Sequence, residues 1–435
     1  MVQFRKICVF ATVLLSSMAG ASVGDISLTK IAFIPLILAL LTELKTKFSL
    51  GRMERKLLLI YFLIIASSFY GLLNTGLFKY DTYEYKLITN IIQYLIIYIP
   101  VLLLLSNSKH YFEFKEDFTK AIIFLAKLNC IWAIIQFVVW VDLRIDFNDL
   151  VFNTYLHGLL GSNWSVYDQA ISGDALIRNL RVAGLNYESA CFSFIMLLGY
   201  ALDDKTWHKF VYLAVILLSL SRAGIVVSIL LLAIEAFKFC RKMNKRKLQY
   251  FLVGLFILVI GCYVILKSPM GTGINNQIQV LLTRFMLVNK ASYGSGTYRH
   301  IMYPVWAVQC WLFNLDPLQK LFGVGYRVSG VAFSESTSIQ GYLQNIMSTQ
   351  AWAIENDFAD TLLGIGVVGI ALLYSFLWQI NKTGDIYSKK IVFIIFFFGL
   401  LYNVSIWSFS TIIYIYLKYS LQGTTQGNGL TGGVP

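Results

Sequence analysis

The feature that most constrains this chain is a succession of apolar runs, each close to 20 residues long and separated by short polar loops. A run of that length spans the hydrocarbon core of a bilayer as a helix, and a helix satisfies its own backbone polar groups where water is missing. Alternating apolar and polar positions, the mark of a membrane barrel, are absent. With 57% hydrophobic residues, 14% charged residues and a mean hydropathy of +0.66, the chain has more apolar surface than a soluble domain can hide. The expected fold is all-α, a polytopic membrane helical bundle. Candidate spans fall at 7–21, 29–43, 57–74, 87–106, 119–140, 188–202, 207–220, 222–239, 249–267 and 356–379. The run 391–418 is long enough for two short helices turned near Ser405 to Ser410, which makes about twelve spans. The first run follows Arg5 and Lys6 and ends in Ala19-Gly20-Ala21; it reads as an uncleaved first helix in preference to a signal peptide. Residues 1–420 thus form one transmembrane domain, and 421–435 a polar, glycine-rich tail that reads as disordered.

Lysine and arginine collect on the cytoplasmic side of short loops. With the N-terminus inside, the two densest basic clusters, GRMERK (51–56) and KFCRKMNKRK (238–247), both fall inside. Two long segments, 141–187 and 268–355, then fall outside, together with the turn at Arg222. This bias accounts for most of the net charge of +13, so the charge calls for no nucleic acid. It leaves Arg144, Arg178, Arg181, Arg222, Arg284, Arg299 and Arg327 on the side where the rule predicts depletion. Lys127 and Glu235 read as snorkelling side chains near helix ends. The six cysteines are scattered through apolar runs with no CxxC pair and read as packing residues.

Three stretches carry candidate chemistry. In Arg178-Asn-Leu-Arg181-Val-Ala-Gly184-Leu-Asn186-Tyr187-Glu188-Ser189 an outside loop re-enters the membrane. Guanidinium groups grip phosphate oxygens as a bidentate fork, Gly184 permits a turn or a close approach, and Asn186 to Ser189 can cap the next helix. The alternative is an Arg181–Glu188 ion pair that pins the loop. In Ser219-Leu-Ser221-Arg222-Ala-Gly224, Ser221 is the expected N-cap and Arg222 sits in the first turn, facing either a ligand cavity or a phospholipid headgroup. The third stretch holds Tyr298-Arg299-His300, Gly323-Val-Gly325-Tyr326-Arg327 and Glu355-Asn356-Asp357. Glu355 and Asp357 are placed either to cap a helix or to accept a proton from a substrate hydroxyl. Trp164, Tyr298, Trp306, Trp311 and Tyr326 either stack on sugars or belong to the aromatic belts of any membrane protein. No P-loop, HExxH or nucleophile elbow occurs. The acidic pair Asp203-Asp204 falls inside, away from these motifs, which gives no support to a metal–nucleotide site.

The order of these motifs resembles the bacterial O-antigen polymerase and ligase superfamily: R-x-x-G-x-x-x-E-S before one span, S-x-S-R-x-G at the head of a later one, then TYRH, G-x-G, and an E-N-D opening a helix that ends in the glycines Gly364, Gly366 and Gly369. The match covers roughly 178–370. The resemblance implies a metal-independent, cofactor-free glycosyltransferase in the bacterial inner membrane, its active site facing the periplasm and acting on undecaprenyl-pyrophosphate-linked oligosaccharide. Carried onto this sequence, Arg181 and Arg222 would hold the donor pyrophosphate, assisted by Arg299 and Arg178. Glu355 stands where ligases of the family carry a histidine, which favours polymerase over ligase; Glu188 competes with it as base, and Asp357 is the third carboxylate. Tyr187, Tyr298 and Tyr326 would contact substrate. A chain-length regulator and a flippase of the same pathway, and membrane lipid, are the expected partners. The alternative of another class is a transporter or lipid flippase, which keeps charges at mid-membrane and uses broken helices.

Overall fold

A computed structural model describes residues 2–18, 22–23, 26–42, 50–73, 83–108, 111–143, 145–156, 182–186, 188–241, 296–334, 354 and 356–402. Among these the fold is all-α apart from a two-residue antiparallel pairing of Ser22–Val23 with Ile26–Ser27. In chain order the main helices are α1 (Val2–Ser17), α2 (Phe33–Leu41), α3 (Arg52–Leu73), α4 (Tyr83–Ser106), α5 (Tyr111–Leu143), α6 (Ser189–Leu202), α7 (Thr206–Leu218), α8 (Arg222–Arg241), α9 (Gly296–Phe313), α10 (Pro317–Phe322), α11 (Gly330–Ser334), α12 (Asp357–Thr383) and α13 (Ile386–Leu401).

Five of them, α3, α4, α8, α12 and the Glu113–Leu143 part of α5, are long and apolar enough to cross a membrane. They carry Leu59, Phe62, Ile131, Val138 and Ile229 on outward faces, as a lipid-facing surface requires. Helix α6 is different. All 14 of its residues are buried, so it is the axis of the bundle, with α5, α7, α8 and α13 packed around it. Its length, about 21 Å, separates two polar ends.

Three features depart from the sequence reading. Arg5 is not in a loop: α1 begins at Val2, and Arg5 is buried against α5, its Nε 2.9 Å from Asp117 and its Nη1 2.7 Å from Glu113. The expected outside segment 268–355 contains α9, α10 and α11, whose Tyr303, Trp306 and Phe333 form a core of their own with Leu362 and Leu363. Pro304 inside α9, and the charged residues at its start, keep that run from reading as a span. The run 356–379 is not a continuous helix: α12 breaks at Gly366, which has φ 69°. The expected span 249–267 and the tail 421–435 lie outside the described residues, as does the expected turn at Ser405 to Ser410. Among the described residues Cys8, Cys130, Cys191, Cys240 and Cys310 form no disulfide, and all but Cys240 are buried.

Candidate functional site

The segment leading into α6 is a buried irregular loop, which in a membrane protein must find partners for its backbone groups within the protein. Side chains of α5 and of the segment after it supply them. Gln136 Oε1 accepts from the N–H groups of Ala183 (3.1 Å) and Gly184 (3.3 Å), and Asn129 Oδ1 accepts from Leu185 N (2.9 Å) and Asn186 Nδ2 (3.0 Å). Asn148 Nδ2 donates to Gly184 O (2.9 Å), and Asn148 Oδ1 is itself fixed by Trp132 Nε1 (2.7 Å). Gly184 turns the chain at φ 59°; a Cβ there would lie 2.5 Å from the Phe192 ring and 2.6 Å from Asn129 Oδ1. Only glycine fits both the conformation and the space. Burial pushes the Asp146 carboxyl, at the foot of this cradle, up from its ordinary value.

The cradle delivers Glu188 to the N-cap position of α6 in an extended conformation, φ −140° and ψ 140°. Its side chain makes no cap bond; instead its Oε2 accepts from the hydroxyl of Tyr402, 214 residues away. Tyr402, at the end of α13, also receives the Asp357 N–H on its carbonyl at 3.4 Å. Asp357 packs flat on α13, with its Oδ2 2.8 Å from where a Gly399 Cβ would stand. Glu188 thus meets Tyr402 through its carboxylate, and Asp357 meets it through the backbone.

Helix α12 is capped by Asn356: its Oδ1 accepts from Ala359 N (3.0 Å) while its Nδ2 donates to Leu400 O (2.7 Å). Asp357 is therefore spared the capping role the sequence left open. Ser221 does cap α8, accepting from Gly224 N at 3.3 Å. The start of α8 is pressed on α6, since a Cβ on Gly224 would meet Ser193 Cβ at 2.5 Å and Ser219 Oγ lies 2.9 Å from Ser193 Oγ. Ser193 is five residues, about one and a half turns, along α6 from Glu188, so the start of α8, which carries the half-buried Arg222, packs near the N-terminal end of α6.

Of the expected site residues, then, Glu188 and the helix starts that carry Asp357 and Arg222 lie toward the N-terminal end of α6. Tyr326 does not join them: it is buried, its ring edge-on to Tyr94 with centroids 6.0 Å apart, which gives it a packing role. Trp306 is likewise in a core, and Trp311 Nε1 donates to Lys320 O at 3.0 Å. Arg178, Arg181, Tyr187 and Glu355 lie outside the described residues, and Tyr298 and Arg299 fall in α9 with their side chains undescribed.

Two polar groups carry weight that sequence reading did not assign. Tyr402 has no pattern around it that names Glu188 as its partner. Asp360 had a legible signal, an acid within an expected span; it is fully buried and accepts a hydrogen bond from Ser329. Among the described residues no three His, Cys, Asp or Glu side chains converge as a metal cluster. No family model matches the chain, and no curated protein matches its sequence.

Proposed function

We propose that this protein is a polytopic inner-membrane glycosyltransferase that polymerises undecaprenyl-pyrophosphate-linked repeat units of a bacterial surface glycan on the periplasmic face. The observation that carries the reading is the convergence of Glu188, Asp357 and the α8 terminus bearing Arg222 at one end of the buried helix α6. Transfer of a glycan from a lipid diphosphate needs negative charge neutralised on the leaving group and a proton taken from the attacking hydroxyl. Arg222 supplies the first, with Arg181, Arg178 and Arg299 assigned to the same task from sequence. Glu188 supplies the second: its carboxylate takes the acceptor proton as the new glycosidic bond forms and the diphosphate departs. Tyr402, which hydrogen-bonds that carboxylate, holds it in place, and Asp357 and Glu355 complete the acidic side. The twelve-span arrangement, with 141–187 and 268–355 outside, belongs to the same proposal.

Replacing Arg222 with alanine in the native host is expected to collapse long glycan to single repeats on an electrophoretic ladder. A normal ladder overturns the assignment, and polymer that accumulates on the lipid carrier without reaching lipid A marks a ligase. One observation favours a transporter instead, namely the break in α12 at Gly366, because broken spans are common in transporters. Purified protein that lengthens a lipid-linked glycan with no ion gradient present removes that reading.

A further inference from the structure

Asp360 is the most deeply buried acid among the described residues, with no exposed surface, and it lies in the first turn of α12, a helix long and apolar enough to cross a membrane. Its Oδ1 accepts from the Ser329 hydroxyl, and Ser329 Oγ in turn accepts from Ile354 N at 3.3 Å. Its Oδ2 is buried as well, and no donor reaches it. Buried acids elsewhere in the bundle face cations: Asp117 meets Arg5, and Asp203 meets His208 with Lys127. Asp360 has no such partner, since no lysine, arginine or histidine of the described residues comes within 4.0 Å of its carboxyl.

The loop Gly323 to Ser329 lies over this group and is clasped to α12 at two points. Val324 N donates to Leu363 O (2.8 Å) and Gly325 N to Gly364 O (3.1 Å) at one, and Ser329 donates to Asp360 at the other. From the far side α4 holds the loop, Tyr83 Oη donating to Val324 O (2.8 Å) and Asn90 Nδ2 to Tyr326 O (2.5 Å). The ionisable groups on the elements around it are Arg327 in the loop, Lys86 and Tyr94 on α4, Tyr70 on α3, Tyr303 on α9 and Asp357 one turn back on α12. None of them bonds to the Asp360 carboxyl or pairs with it at ion-pair distance. A helix start and one hydroxyl favour a carboxylate, but they do not replace the water lost on complete burial, so a bare charge here is costly. The carboxyl needs a positive charge delivered to its open oxygen.

We propose that Asp360 is a binding site for a small monovalent cation, a proton or Na⁺, buried where the Gly323–Ser329 loop meets α12. A proton on Oδ2 removes the charge outright; Na⁺ offsets it and draws its oxygen ligands from the carboxyl and Ser329 Oγ. The site is separate from Glu188 and Arg222 and stands whichever reaction the chain performs.

The test uses the full chain in maltoside micelles at neutral pH, with Asp360→Asn as the comparison, because asparagine has the shape of the neutral acid. In the proton arm, the infrared C=O stretch of a protonated carboxyl, which separates from carboxylate and amide bands, is expected in the parent and lost in Asp360→Asn. In the sodium arm, thermal midpoints are compared in sodium chloride and choline chloride at equal concentration. Sodium is expected to raise the parent's midpoint by about 2 °C or more and to leave that of Asp360→Asn in place. A response in the first arm alone names a proton, in the second alone Na⁺, and in both a site the two share. If Asp360→Asn does not fold, Ser329→Ala decides: losing the one hydrogen bond to the carboxyl shifts the stretch or weakens the sodium response. No response of the parent in either arm, or a response that the folded variant leaves unchanged, overturns the proposal.

Discussion

The two ends of helix α6 are both polar, yet they are finished in opposite ways. At the C-terminal end, Asp203 is saturated: its carboxylate accepts from Lys205 N (3.0 Å) and Tyr212 Oη (3.0 Å), pairs with His208 Nδ1 at 2.8 Å, and has Lys127 Nζ at 3.8 Å. Neighbouring contacts close the same end, with Glu235 bonded to Lys390 at 2.5 Å and to Tyr200, and Asp204 accepting from Tyr387 at 2.8 Å. At the N-terminal end, Glu188 is placed by a backbone cradle and held by a hydroxyl from a distant helix, beside a second carboxylate and an arginine-bearing helix start. One end is a knot that fastens helices together. The other holds acids apart from their usual capping role, which is the condition for using them in chemistry.

Four substitutions press on that contrast. Glu188→Gln keeps an acceptor for Tyr402 but removes the proposed base, and the proposed glycan extension is expected to slow by about 100-fold or more with little change in thermal midpoint. If Asp203→Asn costs as much activity in protein that is still folded, the two ends do not differ as described. Gly184→Ala forces φ 59° on alanine and a methyl into the Phe192 ring, and it should lower unfolding stability by about 2–4 kcal/mol, read by chemical denaturation. Asp203→Asn strips the knot of its charge and should cost about 1–3 kcal/mol at neutral pH. Burial works to raise the Asp203 carboxyl, but the Lys205 N–H, the Tyr212 hydroxyl and His208 outweigh it, so it lies below its ordinary value. A depressed carboxyl contributes stability above its unfolded value and loses it as pH falls through the folded one; the deficit of Asp203→Asn should therefore shrink below about pH 4. The smallest effect is expected from Tyr402→Phe, which removes one hydrogen bond to Glu188 and leaves the carboxylate: about a tenfold slower proposed extension and a midpoint within a few degrees of the parent.

Helices were legible wherever the apolar period was long and unbroken: the expected 57–74 lies within α3 apart from its last residue, and the expected 356–379 within α12 apart from its first. Ser221 was legible as a cap because capping is a local rule, one side chain answering an N–H three residues on. The cradle around Gly184 was legible only as a glycine that allows a turn. Asn129 and Gln136 bond backbone groups, which carry no residue identity and so leave no pattern. Tyr402 was beyond reach for a plainer reason, a separation of 214 residues from its partner. The break in α12 hid inside a hydrophobic stretch whose composition suits a continuous helix equally well.

That break has a bearing on how the chain is made. A Cβ on Gly323 would fall 2.2 Å from Gly364 O, and one on Gly366 2.2 Å from Leu321 O, so the two glycine-bearing segments interlock backbone to backbone. Ser67, 297 residues upstream, closes the seam by donating to Gly364 O, while Tyr83 and Asn90 donate to the opposite strand of it. During synthesis these early helices must wait, their hydroxyl and amide groups unanswered by the seam, until α12 has left the ribosome. A nascent protein stopped short of α12 therefore carries its own mark of incompleteness in the bilayer, polar groups with an energetic cost that quality-control machinery can detect.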